Sequence, residues 1–260
     1  RPLSKPEQTV VRHFVGPNGG WGSQLLTVTS IDFDQRIIHK AYADGANPLL
    51  GFNANCRFII ENAIEALDQP VEWCVDAKDR KVYFWPPSEL GATSEVVVPA
   101  LSTLLRFSHA SWITVTGFTF TETPAGGGDS VRCEDSDHIQ LIGNRFVGSG
   151  SRALGIVGTD RPSSDVLVQG NEFAYAGGNG IYVGGNVRDC QILDNDVHHC
   201  AVFDKYNAGI EFPFYGGTAS EVSADSYTDR ILIAHNYIHD LPRDGIQLGA
   251  NPYGQNIDTS

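Results

Sequence analysis

The chain has 260 residues, of which 41% are hydrophobic and 19% are charged. This apolar content is sufficient for a packed core and too high for a disordered chain. The 31 acidic residues outnumber the 18 Lys and Arg, giving a net charge of −13. Nucleic acids, polyphosphates and anionic membranes are therefore disfavoured as partners, because they bind clustered cations. No apolar run approaches the ~20 residues that span a bilayer, so we expect no membrane insertion.

Cysteine usage argues against two scaffold types. The five cysteines are an odd number and contain no CxxC pair, which disfavours a zinc ribbon and a fully paired disulfide framework. We expect buried thiols with at most one or two bridges. The chain starts RPLSKPEQ and has no Met, which predicts a processed product or an excerpt of a longer protein.

The first part of the chain, residues 1–98, predicts a β-rich subdomain. Residues 24–43 are typical of two strands with a turn near Asp34 and Gln35. Residues 61–68 predict a short helix. Residues 71–87 predict a hairpin whose turn covers 76–80, and the regular coils are expected to begin within 95–107.

The second part, residues 99–260, contains an internal repeat. Each copy has alternating apolar residues, then Asn, one variable residue and Phe, Val or Ile. The copies are HIQLIGNRFVG (138–148), VLVQGNEFAYA (166–176), CQILDNDVHHC (190–200) and ILIAHNYIHDL (231–241). The aligned asparagines are Asn144, Asn171, Asn195 and Asn236, at spacings of 27, 24 and 41 residues. We expect these asparagines to adopt the positive φ of a bend, and their amides to stack in a column.

A Gly-Ile strand lies between successive copies, in LGIVG, NGIYVG, AGIEF and DGIQLG. Short strands punctuated by Gly and Asn about every 25 residues predict an all-β fold. The predicted fold is a right-handed parallel β-helix of the pectin-lyase-like kind, which covers residues 99–260. A leucine-rich repeat would need a helix in each repeat, and a sandwich would show hairpin turns.

Alternation assigns the faces of the Gly-Ile strands. Ile156, Ile181, Ile210 and Ile246 are predicted to point inward, followed by Val183, Phe212 and Leu248. The residues between them are predicted to point to solvent as one external column. These outward residues are Val157, Tyr182, Glu211 and Gln247.

Residues 57–87, RFIIENAIEALDQPVEWCVDAKDRKVYFWPP, resemble a signature of large carbohydrate-active β-helix proteins. The matching positions are Glu61-Asn62, Leu67-Asp68, Pro70, Glu72-Trp73, Asp76 and Tyr83 to Pro86, whereas Val71 and Cys74 depart from the usual Gly and Tyr. HFVGPNGGWGS and two of the coils match as well, so the likeness covers roughly 13–250. The group resembled is glycoside hydrolase family 141 and its relatives.

The resemblance implies a right-handed parallel β-helix that hydrolyses glycosidic bonds, with fucosidase and xylanase activities in the group. It also implies that the family's catalytic acids lie in coils beyond the one matching 231–250. None of those acids is therefore carried onto a position of this chain.

The residues themselves suggest a carboxylate pair, which glycosidases use as acid and base, ~5 Å apart for retention and ~6.5–9.5 Å apart for inversion. Glu211 is the first candidate, because desolvation beside aromatic residues raises the pKa of a carboxyl group and suits a general acid. Asp244 is the second, held ionised by Arg243, with an offset of roughly 10 Å along the strand. Asp204 is the third. Each is also compatible with a solvated strand residue or a turn cap.

Substrate contacts are predicted from polar and aromatic residues near this face. The candidates are Tyr182, Gln247, Arg243, Tyr206, His198 and His239. The two histidines lie three residues after their aligned asparagines, which places them at one level in neighbouring coils, with His235 just before a bend. Substrate hydrogen bonding, a structural stack and a zinc site remain alternatives for the histidines.

Two other functions remain open. Asp194, Asp196, Glu134 and Asp135 offer oxygen ligands for Ca²⁺, which would suit a polysaccharide lyase acting by calcium-assisted β-elimination. A non-catalytic glycan-binding β-helix is the second alternative. The main prediction is a glycoside hydrolase without a cofactor, with a carbohydrate substrate and a secreted or cell-envelope location; the oligomeric state stays open.

Overall fold

The structure is a computed structural model that describes residues 3–15, 22–32, 34–42, 57–126, 128–203, 207–213 and 228–249. The chain divides into two compact units, Arg1–Val96 and Val97–Ser260. The boundary predicted from the sequence lies between 98 and 99. In the described residues, no helix is long and apolar enough to cross a membrane.

The first unit is built from antiparallel strands. They are β1 (Val10–Val15), β2 (Gly22–Asp32), β3 (Ile37–Tyr42), β4 (Phe58–Glu61), β5 (Trp73–Asp76) and β6 (Lys81–Phe84). The sheet order is β3-β2-β1-β4, and β5 and β6 form a separate hairpin. Both hairpins predicted from the sequence are confirmed. Within the predicted short helix of 61–68, Ile64–Ala66 form a 3-10 helix, and the residues on either side are not helical. A second 3-10 helix covers Pro6–Gln8.

The second unit is a parallel β-solenoid whose strands form three stacks, called sheets 1, 2 and 3 here. Sheet 1 contains β7 (Leu105–Ser108), β10 (Asp129–Glu134), β13 (Arg152–Ser164), β16 (Ile181–Arg188), β19 (Ala208–Phe212) and β23 (Asp244–Leu248). Sheet 2 contains β8 (Ser111–Thr116), β11 (Asp137–Ile142), β14 (Leu167–Gln169), β17 (Gln191–Leu193) and β21 (Leu232–Ala234). Sheet 3 contains β9 (Thr119–Thr123), β12 (Arg145–Ser149), β15 (Glu172–Ala174), β18 (Asp196–His198) and β22 (Tyr237–His239). The short β20 (Thr228–Asp229) pairs with the end of β16. Sheets 1 and 2 are joined through the pairing of β11 with β13, and sheet 3 is separate.

The solenoid core is filled by rows of aligned apolar side chains, one from each coil. In sheet 1, Ile181 pairs with Ile210 and Ile210 with Ile246, so the predicted register of the inner row is confirmed. Ile181 and Ile210 are fully buried, whereas Ile246 and Leu248 in the last described coil are 44% and 49% exposed. In sheet 3, Phe120, Phe146 and Phe173 stack with ring centroids 5.1 and 4.5 Å apart. These rows are the apolar surface that drives the coils to stack.

The predicted place of Ile156 in the row of Ile181 is wrong. Leu154 pairs with Ile181, and Ile156 pairs with Val183. Both Leu154 and Ile156 are fully buried, because a shift of two residues keeps a side chain on the same face of a strand. Ile156 therefore points inward as predicted, but its neighbours in the adjacent coil differ from the predicted ones.

The coils turn at residues with left-handed backbone conformation, spaced five residues apart within a coil. The first corner is formed by Trp112, His138, Asp165, Asp189 and Arg230; the second by Gly117, Gly143, Gly170, Asp194 and His235; and the third by Glu122, Gly148, Tyr175, His199 and Asp240. The prediction that the aligned asparagines adopt positive φ is wrong, since the residue before each of them does so.

The asparagines instead form a buried hydrogen-bond ladder. The Oδ1 of Asn171 accepts hydrogen bonds from the backbone N–H (2.8 Å) and the Nδ2 (3.1 Å) of Asn144. The Oδ1 of Asn195 accepts the same pair from Asn171, and that of Asn236 accepts it from Asn195. Because buried polar groups need partners, each amide satisfies backbone groups of the neighbouring coil and fixes the register. The predicted column is confirmed.

Candidate functional site

The outer face of sheet 1 brings together three of the predicted residues. Tyr182 pairs in register with Glu211, and Glu211 pairs with Gln247. Neighbouring strands lie about 4.8 Å apart, so the three positions form one column across three coils. The predicted column is confirmed for these residues, whereas Val157 pairs with Gly184 and lies outside it.

Tyr182 is covered, so its predicted exposure to solvent is wrong. The residue is only 3% exposed, and the Arg152 guanidinium lies 3.8 Å from the centroid of its ring. A Cβ at Gly184 would lie 2.6 Å from the ring, so the absent side chain of Gly184 creates the space into which the ring folds. Val157 is buried as well. The ring of Tyr182 is therefore packed against the protein beside Glu211 and does not offer an open face for stacking on a sugar.

Glu211 is held in place by a neighbouring amide. Its side chain is partly buried, and its Oε2 accepts a hydrogen bond from the Nδ2 of Asn179. Asn179 is itself buried and lies just before the Gly180-Ile181 pair of the preceding coil. Asn179 was not predicted from the sequence. The sequence feature that could have indicated Asn179 is its position directly before a Gly-Ile pair. Asn179, Ala208 and Asp244 occupy this position in successive coils.

Asp244 lies in the coil after Glu211 but at a different level. It pairs in register with Ala208, three residues before Glu211, so it is displaced by about 10 Å along the strand. Its Oδ2 lies 3.1 Å from the Nε of Arg243, which is the ion pair expected from the sequence. The structure thus places Asp244 with Arg243 and does not bring its carboxylate into the column of Glu211.

Two residues that the sequence predicts for the site, Asp204 and Tyr206, lie outside the described residues. Asp204 therefore stays a predicted third carboxylate and Tyr206 a predicted substrate contact.

The predicted histidines lie on sheet 3, away from the column of Glu211. His198 pairs in register with His239, and their rings stack with centroids 5.0 Å apart. The expected alignment of the two rings in neighbouring coils is confirmed. The ring of Tyr237 stacks on His239 at 4.2 Å, and Tyr175 contacts His198 with its edge.

Carboxylates fix His239 on both sides. Its Nδ1 lies 2.8 Å from the Oδ2 of Asp240, and its Nε2 lies 3.0 Å from the Oδ1 of Asp196. The hydrogen bond to Asp240, reinforced by Asp196, raises the pKa of His239 above its usual value. The arrangement gives a half-exposed surface of aromatic rings, imidazoles and carboxylates.

Comparison with known proteins decides the family. Residues 104–257 match the family described as the right handed beta helix region. The chain belongs to this family. In the same β-helix chain, residues 41–87 match the family described as the GH141 insertion domain. No curated protein matches the chain.

A solved structure titled "Glycoside hydrolase" shares the fold. It superposes with a TM-score of 0.74 at 19% sequence identity, covering 95% of this chain and 52% of that one. The chain thus spans about half the length of that protein. Together with the GH141 insertion match, this makes the chain a GH141-like parallel β-helix.

The oxygen ligands proposed for Ca²⁺ have partners in this β-helix. The Oδ1 of Asp135 accepts the backbone N–H groups of Thr159, Asp160 and Arg161, and its Oδ2 accepts the hydroxyl of Thr159. The Oδ2 of Asp194 accepts the Nε2 of Gln169. His109, Asp135 and Asp160 place ligand atoms within 4.8 Å of one another, but Asp135 serves there as the cap of a turn. The calcium hypothesis stays a prediction.

Proposed function

We propose that this β-helix is a carbohydrate-active protein of the glycoside hydrolase type, acting on a polysaccharide or oligosaccharide. The observation that carries the proposal is the joint presence of a GH141 insertion segment and a right-handed β-helix in one chain. The fold shared with a solved protein titled "Glycoside hydrolase" is consistent with it.

Glu211 is the proposed general acid. Its outward position, its partial burial and its hydrogen bond to Asn179 hold one carboxyl group on the outer face of sheet 1. Gln247, in register beside it, offers an amide for a sugar hydroxyl. An acid must lie within hydrogen-bond reach of the glycosidic oxygen, so a glycan would cross the strands above this column.

Asp244 is the proposed second carboxylate, and its ion pair with Arg243 orients it. Its backbone is offset from that of Glu211 by about 10 Å along the strand. We propose inversion of the anomeric configuration, for which the two carboxyl groups must lie about 6.5–9.5 Å apart in the complex with substrate. Asp204 and Tyr206 keep their proposed roles as a third carboxylate and a substrate contact.

His198 and His239 are proposed to bind a part of the glycan that extends over sheet 3. The part-buried imidazole rings, with the exposed rings of Tyr175 and Tyr237 and the carboxylates beside them, supply both stacking surface and hydrogen bonds. A secreted or cell-envelope location is proposed together with this substrate class.

The test is release of reducing ends from a panel of neutral polysaccharides by the wild-type protein and by Glu211→Gln. We expect at least a 100-fold loss of turnover, because removing a positioned acid costs about 10²–10⁴-fold in rate. Glu122→Gln is the matched control: it makes the same chemical change at an exposed residue of sheet 3 and should leave turnover and melting temperature unchanged. Equal turnover in wild type and Glu211→Gln would remove Glu211 from the mechanism.

Non-catalytic glycan binding is the second candidate. The observation that favours it is the separate placement of Asp244, which pairs with Arg243 rather than with a group near Glu211. Under this alternative, the protein is retarded in native gels that contain a glycan, yet releases no reducing ends. A calcium-dependent lyase would instead give an unsaturated product that absorbs ultraviolet light and disappears with chelation.

A further inference from the structure

A second surface feature lies on sheet 2, on a different face from Glu211. It is a groove of about 540 Å³ that spans five coils. Its lining includes Trp112, His138, Gln140, Asp189, Gln191 and Arg230. We propose that this groove is a binding site for a neutral glycan strand, separate from the column of Glu211.

Trp112 provides an aromatic platform at one end of the groove. It is 77% exposed, and one ring face stacks on His138 with centroids 3.7 Å apart. The Nδ1 of His138 lies 3.0 Å from the Oδ2 of Asp137, which fixes the imidazole beneath the indole. The second face of the indole is therefore open and held in a defined orientation, as stacking against the apolar face of a pyranose requires.

The backbone at Trp112 is strained. Its φ is +62°, a left-handed conformation in which a bulky residue costs of order 1–3 kcal/mol. The equivalent corner positions in later coils carry His138, Asp165, Asp189 and Arg230, and the second corner uses Gly in three coils. A large exposed aromatic residue at such a corner contributes little to the core, which points to a role in binding.

Two glutamine side chains lie along the groove in alternate coils. The outward row of sheet 2 is Thr114, Gln140, Leu167, Gln191 and Leu232, paired in register from coil to coil. The amides of Gln140 and Gln191 are therefore two coils apart, about 10 Å. This spacing presents hydrogen-bonding groups repeatedly along the solenoid axis, which suits an extended chain of sugars better than a single compact ligand.

The far end of the groove presents an ion pair suited to vicinal hydroxyls. The Nε and Nη2 of Arg230 each lie 2.6 Å from a carboxylate oxygen of Asp189. This bidentate contact lowers the pKa of Asp189, so the carboxylate stays an acceptor while the guanidinium remains a donor. The acidic net charge of −13 disfavours an anionic polymer, so the site fits a neutral glycan.

The test is native affinity electrophoresis in gels containing arabinoxylan, xyloglucan or, for comparison, anionic polygalacturonate. We expect at least one neutral polymer to retard the wild-type protein, and Trp112→Ala to weaken that binding at least tenfold. Phe118→Ala is the matched control, since it removes another exposed aromatic side chain of the same coil. It should bind like wild type.

Trp112→Asn separates binding from folding. Because Asn tolerates the left-handed conformation, this variant should melt at or above the wild-type temperature and still lose binding. Glu211→Gln should bind normally in this groove, so failure of the hydrolase proposal and failure of the groove proposal are distinguishable. Four results would each overturn the proposal. They are retardation of both Trp112 variants to the same extent as wild type, retardation by polygalacturonate alone, no retardation by any polymer, and a dimer in sedimentation that depends on Trp112.

Discussion

Asn171 illustrates how one side chain ties three coils together. Its amide donates to the carbonyl oxygen of Leu141 (2.8 Å) and to the Oδ1 of Asn195 (3.0 Å), while its own Oδ1 accepts from Asn144. All of these groups are inside the solenoid, where no water replaces a lost partner. The spacing of the asparagines made this column predictable, because stacking coils of 24 to 41 residues must superpose equivalent positions.

We predict that Asn171→Ala destabilises the protein by about 3 kcal/mol. The substitution leaves the Leu141 carbonyl and the Asn144 amide without buried partners, at about 1–3 kcal/mol for each unsatisfied group. Urea unfolding measures the change. The control is Gln169→Ala, which removes a half-buried side chain two residues away whose hydrogen bond to Asp194 lies at the surface, and it should stay within about 0.5 kcal/mol. Equal stability of the two variants would contradict the role of the ladder.

His239 predicts a pH dependence of stability. The hydrogen bond to Asp240, and then Asp196, raises the pKa of His239 in the folded state above the unfolded value of 6.5. The stabilisation is therefore fully present below pH 6.5 and is lost as the pH rises through the folded-state pKa.

The melting temperature of wild type relative to His239→Gln should consequently fall as the pH is raised from about 5 to about 8. Asp240→Asn should lower the pKa of the His239 ring in an NMR titration, because the main partner of the protonated ring loses its charge. A difference in melting temperature that stays constant across this pH range would contradict the assignment.

At the scale of elements, the Gly-Ile strands owe their glycines to close approach between coils. A Cβ at Gly180 would lie 2.8 Å from the carbonyl oxygen of Gly209 and 2.8 Å from the Cγ1 of Val197. A Cβ at Gly209 would meet the carbonyl oxygen of Gly245 at the same distance. The sequence showed that these glycines repeat, but the contact that requires them crosses between coils and follows only from their register.

We predict that Gly180→Ala costs about 1–3 kcal/mol, because the new methyl group overpacks the backbone of the next coil. Gly143→Asn is the control. Gly143 has a φ of +62° with open space around it, and Asp194 and His235 occupy the equivalent position in other coils. This control should change stability by no more than about 0.5 kcal/mol in thermal or urea unfolding. A tolerated Gly180→Ala would show that the coils can separate locally.

At the scale of the whole molecule, alternation and repeat spacing were enough to predict the solenoid and the column of Tyr182, Glu211 and Gln247. Both depend on local periodicity, which the sequence displays directly. The burial of Tyr182 depends on Arg152, which lies on β13 in the preceding coil, and on the space above Gly184, two residues later on the same strand. Such contacts arise from side-chain packing and were not readable from the pattern.

The partner of Glu211 shows the same limit. Asn179 reaches Glu211 from the preceding coil, at a sequence separation of 32 residues. The displacement of Asp244 from Glu211 along the strand was predicted correctly, because the alignment of the two Gly-Ile motifs fixes the register of their strands. The position of Asp204 and Tyr206 lies outside the described residues, so their contribution to the site stays a prediction.

The most direct test of the catalytic assignment is a crystal structure of Glu211→Gln soaked with an oligosaccharide that the wild-type protein cleaves. We predict that a glycosidic oxygen lies within about 3.2 Å of the side-chain amide at position 211, with Gln247 contacting a hydroxyl of the adjoining sugar. A productive glycan bound with every glycosidic oxygen far from position 211 would contradict the assignment.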